Sequence, residues 1–273
     1  RVPLYQHLAD LLGERPQTIP RPTINLFSGG KHAGKQSPLQ DILLVPSSAT
    51  TMDEALATTF AVYQSAMELI AQRYHARPLR ADEGGLAPEF PHPEAMLSDA
   101  VEAIQNAGFV PGRDVALAVD VASTHFFHNG VYELGLERLD AAAMTARLSA
   151  WVEKYPIVSL EDGLHEEAWA DWPQLCASLG QRALIVGDDL LCTKPDRIRQ
   201  AIEKRAANTL LLKVNQVGTL SEAMEACRLA RNAGWRVTAS ARSGETEDHW
   251  LADLAVGWGA DQIKIGSITQ SER

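Results

Sequence analysis

Between residues 157 and 213 the chain reads Ile157-Val158-Ser159-Leu160-Glu161-Asp162, then Leu184-Ile185-Val186-Gly187-Asp188-Asp189, then Thr209-Leu210-Leu211-Leu212-Lys213, with helix-length amphipathic stretches between. Short apolar runs alternating with such stretches are the pattern of parallel strands joined by crossover helices. Working outward, the same unit recurs at 115–119, 236–239 and 262–265, which predicts six such strands. Helices are predicted near 140–154, 166–180, 195–205, 219–233 and 246–257; Pro195 sits where a first-turn proline is tolerated, and Gly180 and Gly234 sit where helices end. Upstream, 23–27 and 42–45 are two further apolar runs separated by the glycine- and lysine-rich 28–35. That gap leaves no room for a crossover helix, so the pair is expected to form an antiparallel hairpin. Two helices, 52–74 and 93–107, complete the series. Eight strands predict a closed α/β barrel, and no linker, low-complexity tract or fixed-period repeat marks an internal boundary after residue 20.

The composition narrows the function. The 273 residues carry 25 Lys plus Arg against 35 Asp plus Glu, a net charge of −10, and 45% are hydrophobic, enough to bury a core. Net acidity argues against a nucleic-acid groove or a membrane-facing patch, since both need a basic footprint. An anionic ligand must therefore meet locally placed cations. Cys176, Cys192 and Cys227 lack CxxC or Cys/His ligand spacing and read as small buried thiols of a reducing compartment. No apolar run reaches the ~18–20 residues of a membrane helix, and no signal-peptide layout opens the chain. The expectation is a cytoplasmic protein. The chain begins at Arg1 and enters a helical pattern within three residues, which suggests a longer gene product, with 1–20 as the tail of a preceding smaller domain and 21–273 as the barrel.

A parallel barrel carries its active site at the C-terminal ends of its strands. Here Asp120, the pair Glu161-Asp162, the pair Asp188-Asp189, Lys213, Arg242 and Lys264 all fall at that rim. Asp120, Glu161 and Asp188 would converge from three adjacent strands, an oxygen-only donor set suited to Mg²⁺. Within each pair the first residue is assigned to the metal and the second to support, although spacing alone does not separate them. The alternative is a buried ion-pair network of carboxylates and lysines without metal. Lys213 ends the most apolar strand; desolvation and neighbouring cations would lower its pKa and make it a general base, with Lys264 two strands away. Asp82-Glu83-Gly84-Gly85 places carboxyls before a flexible glycine pair, suited to a mobile acid.

Six segments then converge on one family. Gly30-Lys31-His32-Ala33-Gly34, Asp82-Glu83-Gly84-Gly85-Leu86-Ala87-Pro88, Ser159-Leu160-Glu161-Asp162-Gly163-Leu164, Gly187-Asp188-Asp189-Leu190, Leu211-Leu212-Lys213-Val214-Asn215-Gln216 and Arg242-Ser243-Gly244-Glu245-Thr246-Glu247-Asp248 resemble enolase, the glycolytic 2-phosphoglycerate hydro-lyase, in the family's order along essentially the whole chain. Val2-Pro3-Leu4-Tyr5-Gln6-His7 resembles the segment closing that family's smaller N-terminal domain. The resemblance implies a barrel with antiparallel first strands and Mg²⁺ as cofactor on Asp120, Glu161 and Asp188. It implies Lys213 as base, Lys264 as second lysine and Glu83 as acid. His32, Asp41, Arg242, Ser243 and Lys264 fall on substrate-binding positions. A homo-oligomer, as a dimer, is implied too, with a small phosphorylated or phosphonylated carboxylate as the partner and no nucleic acid or membrane.

The departures bear on the substrate. Where the family has Ser-His-Arg-Ser-Gly-Glu, this chain has Ser240-Ala241-Arg242-Ser243-Gly244-Glu245, and alanine cannot donate to a phosphate oxygen or a leaving group. After Gln40 the family has Glu and this chain has Asp41, one methylene shorter. The sequence changes from Asp248 onward, and Ile265-Gly266-Ser267-Ile268-Thr269-Gln270 replaces a run of small residues. Most of the smaller domain, including a serine loop that helps bind a second Mg²⁺, is not found here, nor is the final helix after Ser271-Glu272-Arg273. The expected activity is Mg²⁺-dependent abstraction of a proton α to a carboxylate and elimination of water from 2-phosphoglycerate or an analogue. The rivals are an enolase-like enzyme for a different acid and a catalytically silent binding protein.

Overall fold

A strand sends alternate side chains to opposite faces, and in this chain the two faces have different partners. Outward residues such as Leu117, Leu160, Ile185, Leu210, Val237 and Ile263 join the main apolar core under the helices. Inward Leu43, Val45, Ala116 and Ala118 form a separate small cluster. A computed structural model describes residues 1–16, 18–246 and 248–269.

In chain order these are α1 (Leu4–Leu12), β1 (Arg21–Ser28), β2 (Asp41–Val45), α2 (Met52–Arg73), α3 (Pro93–Asn106), β3 (Ala116–Asp120), β4 (Phe127–His128), β5 (Val131–Leu134), β6 (Glu137–Leu139), α4 (Ala141–Lys154), β7 (Ile157–Glu161), α5 (Trp172–Leu179), β8 (Leu184–Gly187), α6 (Pro195–Lys204), β9 (Thr209–Leu212), α7 (Val214–Val217), α8 (Leu220–Asn232), β10 (Arg236–Ser240), α9 (Trp250–Gly257) and β11 (Gln262–Lys264). Eight strands close in the order β1-β11-β10-β9-β8-β7-β3-β2. β2 runs antiparallel to both its neighbours, and every other pairing within the barrel is parallel. The expected hairpin and barrel are both present.

Reversal of β2 has a chemical consequence. It brings the first residue of that strand, Asp41, to the rim where the parallel strands bring their last, in register with Asp120 and Ser28.

Three readings need correction. The helices expected from 166 and 246 begin at Trp172 and Trp250, because the preceding residues are spent on turns such as Trp172 N–H to Ala168 O. The small sheet β4-β5-β6 and the single-turn α7 went unpredicted, being too short to establish a period. Of the cysteines only Cys227 is buried; Cys176 and Cys192 are half-buried. The segment around Glu247 and residues 270–273, which carry part of the sequence departures, lie outside the described residues.

α1 docks on α9: Trp258 Nε1 donates to Leu8 O at 3.1 Å, and a Cβ on Gly257 would stand 2.4 Å from Tyr5 O, so only glycine permits this approach. Among the described residues, no helix is long and apolar enough to cross a membrane. α2 starts on a capping box in which Thr51 Oγ1 accepts from Glu54 N–H while the Glu54 side chain accepts from Thr51 N–H. Thr51→Ala is expected to lower stability by about 1 kcal/mol in urea unfolding, and Thr51→Ser to cost little; equal losses in the two variants would contradict a capping role.

Candidate active site

The inward phase of each strand decides which rim residues meet. Thr23, Leu43, Ala118, Ser159, Val186, Leu211, Thr238 and Gln262 line the barrel interior. Asn25, Asp41, Asp120, Glu161, Asp188, Lys213, Ser240 and Lys264 each stand two residues from one of these, so the pleat turns them inward as well. Asp162 is out of phase. A left-handed backbone (φ 45°) folds its carboxylate back to accept the N–H groups of Asp188 at 3.0 Å and Asp189 at 2.7 Å. These two bonds tie the start of the loop after β8 to Asp162.

A cavity of about 290 Å³ opens at this rim, near the lower bound of small-molecule sites. Lys31, His32, Glu83, Asp120, Asp188, Lys213, Arg242, Ser243 and Lys264 all line it, with Ala241 between them. Glu161 and Asp41 lie beneath. Lys264 Nζ donates to Asp120 Oδ2 at 2.9 Å and to Glu161 Oε2 and Oε1 at 2.8 and 3.0 Å, all buried. Lys213 Nζ donates to Asp188 Oδ2 at 2.5 Å, and Gln216 Nε2 to Asp188 Oδ1 at 3.3 Å. Asp120 and Glu161 thus share Lys264, and Asp188 pairs with Lys213.

That network leaves a charge imbalance. Glu161 is pushed well above its ordinary value by burial and by Asp120, against the pull of Lys264, while for Asp120 burial raises the pKa but Lys264, with Lys213 and Glu161, brings the net shift down. Lys264 is burdened by burial, yet Asp120 and Glu161 raise it well above the ordinary ammonium value. Two adjacent buried carboxylates share one ammonium, so the pair is short of positive charge. Carboxylate oxygens of this kind are the donors that Mg²⁺ takes; among the described residues the groups whose ligand atoms lie within 4.8 Å of one another are Asp162, Asp188 and Asp189, and His32, Asp41 and Glu83.

For Lys213 the expected pKa direction is reversed. Burial does lower it, but Asp188 and Glu161 outweigh burial and the net shift is upward. Its neighbours are chiefly carboxylates, where the sequence reading supposed cations.

The acid side is built on the Asp41 carboxylate, which is fully buried. Asn25 Nδ2 and Ser28 Oγ donate to its Oδ1 at 2.6 and 2.7 Å, and His32 Nδ1 lies 3.1 Å from its Oδ2. His32 Nε2 is 3.8 Å from Glu83 Oε1. Asp41 therefore reaches the cavity through His32. Burial lowers the imidazole pKa, but the hydrogen bond and charge of Asp41 prevail and raise it. Glu83 is raised first by burial and then by Asp41, so it keeps its proton more readily than a free carboxyl.

The Glu83 loop, expected from its glycines to be mobile, is tied to the barrel just after Glu83. Leu86 N–H donates to Leu26 O at 2.8 Å, Ser28 N–H to Leu86 O at 2.9 Å, and Tyr63 Oη to Gly84 O at 3.0 Å. A Cβ on Gly85 would stand 2.5 Å from Ser28 Oγ, so this glycine serves close approach.

Sequence reasoning missed Asn25, Gln216 and His125. A lone amide inside the apolar 21–28 run was the available signal for Asn25; Gln216 follows Lys213 by three residues. Arg242 and Ser243 sit exposed at the mouth, with Arg242 N–H donating to Glu245 Oε2 at 2.8 Å. Residues 16–273 match the family model described as the enolase C-terminal TIM barrel domain. With the antiparallel opening of the barrel, the rim carboxylates and the two lysines in place, the chain belongs to the enolase family.

Proposed function

We propose that the chain is a Mg²⁺-dependent carbon–oxygen hydro-lyase that removes a proton α to a carboxylate and eliminates water from a small phosphorylated or phosphonylated carboxylate. The observation that carries this is the pairing, across one cavity, of a lysine at the end of β9 with a carboxyl, Glu83, that is predisposed to hold its proton. Asp120, Glu161 and Asp188 would hold the metal, which supplies positive charge to the substrate carboxylate and draws off the negative charge that keeps Lys213 protonated.

The remaining steps belong to the chain's own residues. Lys213 Nζ takes the α-proton, and the electron pair of that C–H bond moves onto the carboxylate. Lys264 offsets the charge there. As the β C–O bond breaks, Glu83 gives its proton to the departing oxygen, so that water leaves and a double bond remains. Asp41 and His32 keep Glu83 oriented. Arg242 presents a planar fork to the phosphoryl or phosphonyl group, with Ser243 beside it. A cytoplasmic homodimer goes with this reading.

Ala241 favours an analogue of 2-phosphoglycerate as the native substrate, because it offers no donor beside Arg242. With 2-phosphoglycerate and Mg²⁺, the wild type is expected to exchange the α-proton with solvent deuterium and to form phosphoenolpyruvate slowly. Ala241→His is expected to speed phosphoenolpyruvate formation by about tenfold or more, the contribution of one hydrogen bond to a charged group. Absence of α-proton exchange in both proteins would sink the lyase reading; unchanged turnover in Ala241→His would make the missing histidine irrelevant.

A further inference from the structure

His125 lines the cavity wall, outside the set of residues assigned above. It stands on a 3-10 turn, Ser123–Phe126, that follows β3 through a left-handed Ala122 (φ 45°). The turn is fastened from several sides: Ser123 N–H donates to Asp162 O at 3.1 Å, Glu166 N–H to Thr124 Oγ1 at 3.1 Å, and His125 N–H to Ala122 O at 3.0 Å. Phe126 and Phe127 pack on the Tyr132 ring at centroid distances of 6.4 and 4.7 Å. The imidazole is therefore held in place before any ligand arrives, the condition for a specific contact.

Its polar atoms are unsatisfied. Nδ1 is sealed from solvent without a partner among the described residues. The residue is partly buried at the cavity wall, and its other ring nitrogen, Nε2, makes no hydrogen bond among the described residues. A buried polar group left in this way is unusual in a folded protein. Burial first, and then the Lys31 ammonium, hold the imidazole below its ordinary pKa. An imidazole offers an N–H donor through one ring nitrogen when neutral and through both when protonated.

The placement of the free cations agrees. Lys213 and Lys264 are engaged with carboxylates, whereas Lys31 and Arg242 form no ion pair among the described residues. β3, which precedes His125, and β10, which precedes Arg242, are four strands apart in either direction round the barrel. Lys31 comes from the β1–β2 connection, and β2 is the neighbour of β3. The cavity thus has two separate cationic or donor corners on opposed walls, with the lysine–carboxylate centre between them. A substrate with one carboxylate at that centre and one phosphoryl group at Arg242 leaves the His125 corner unfilled.

We propose that His125, with Lys31, recognises a second carboxylate of the substrate, so that the native substrate is a phosphorylated or phosphonylated dicarboxylic acid. This rests on the reading of the cavity as a site for phosphorylated or phosphonylated carboxylates. His125 is then a specificity residue, and the planar fork of Arg242 remains the phosphorus-binding end.

Two inert probes that differ by one carboxylate test it: 3-phosphonopropionate and phosphonosuccinate, titrated calorimetrically into the chain with Mg²⁺ present. Wild type is expected to bind phosphonosuccinate about tenfold more tightly, the value of one hydrogen bond to a charged group. His125→Leu should bring that ratio to near unity, and Lys31→Met should lower it, while both still take up 3-phosphonopropionate, which also reports that they are folded. If His125→Leu fails to fold, His125→Asn and Lys31→Met carry the test. Equal wild-type affinities, or a ratio untouched by the substitutions, would overturn the second-carboxylate site alone. No binding of either probe to wild type would instead remove the cavity reading on which it rests.

Discussion

Lys213→Ala is expected to slow α-proton exchange and water elimination together, by about 10²–10⁴-fold, the usual contribution of a positioned general base. Both fall because both begin with the same C–H cleavage. The geometry makes the loss specific: the Lys213 N–H is fixed by Thr193 Oγ1 at 2.9 Å, and the side chain continues the inward phase of Leu211 into the cavity. Asp188 keeps its contact with Gln216, so one carboxylate loses a partner without being stranded. Deuterium incorporation by NMR and phosphoenolpyruvate absorbance, each with 2-phosphoglycerate and Mg²⁺, read the two steps. Exchange continuing at the wild-type rate in a folded Lys213→Ala protein would assign the base elsewhere.

Glu83→Gln should separate the steps that Lys213→Ala removes together. The amide cannot give up a proton to the leaving oxygen, so elimination is expected to fall by about 10²–10⁴-fold, while α-proton exchange persists because Lys213 is intact. The pH dependence has a defined sign. Glu83 acts as the protonated carboxyl, so wild-type elimination loses this contribution as pH rises through the Glu83 pKa. Burial and Asp41 put that pKa above the ordinary carboxylate range, and the falling limb should be absent from exchange. A common loss of both steps in Glu83→Gln would mean that Glu83 shapes the cavity and leaves protonation to another group.

Much of this was legible in the chain because barrel chemistry has a linear signature. Apolar runs of four or five residues ending in a charge give the strand, its direction and the rim to which the charge belongs. Asp120, Glu161, Asp188, Lys213 and Lys264 could all be read in that way. Asn25 and His125 could not: one is a mid-strand amide with no charge to mark a rim, the other lies on a turn whose path depends on the left-handed Ala122. The glycine pair at 84–85 was legible as a turn, but its purpose was not. Flexibility and close packing ask for the same residue, and only the 2.5 Å approach of a would-be Cβ to Ser28 Oγ distinguishes them.

By itself the sequence determined the eight-stranded alternation, the antiparallel start and the residue types at the rim, since period, turn room and charge are local properties. Only the tertiary structure decided which charges face each other. Lys264 lies more than a hundred residues from either carboxylate it bridges, and Lys213 has a raised pKa because closure of the barrel surrounds it with Asp188 and Glu161. Asp41, which the resemblance placed among the substrate-binding positions and its shorter side chain marked as an acid-assisting carboxylate, lies beneath His32, whose other ring nitrogen is 3.8 Å from Glu83. A side chain's field is set by neighbours brought together across the barrel, and those neighbours exist only once the ring of strands has closed.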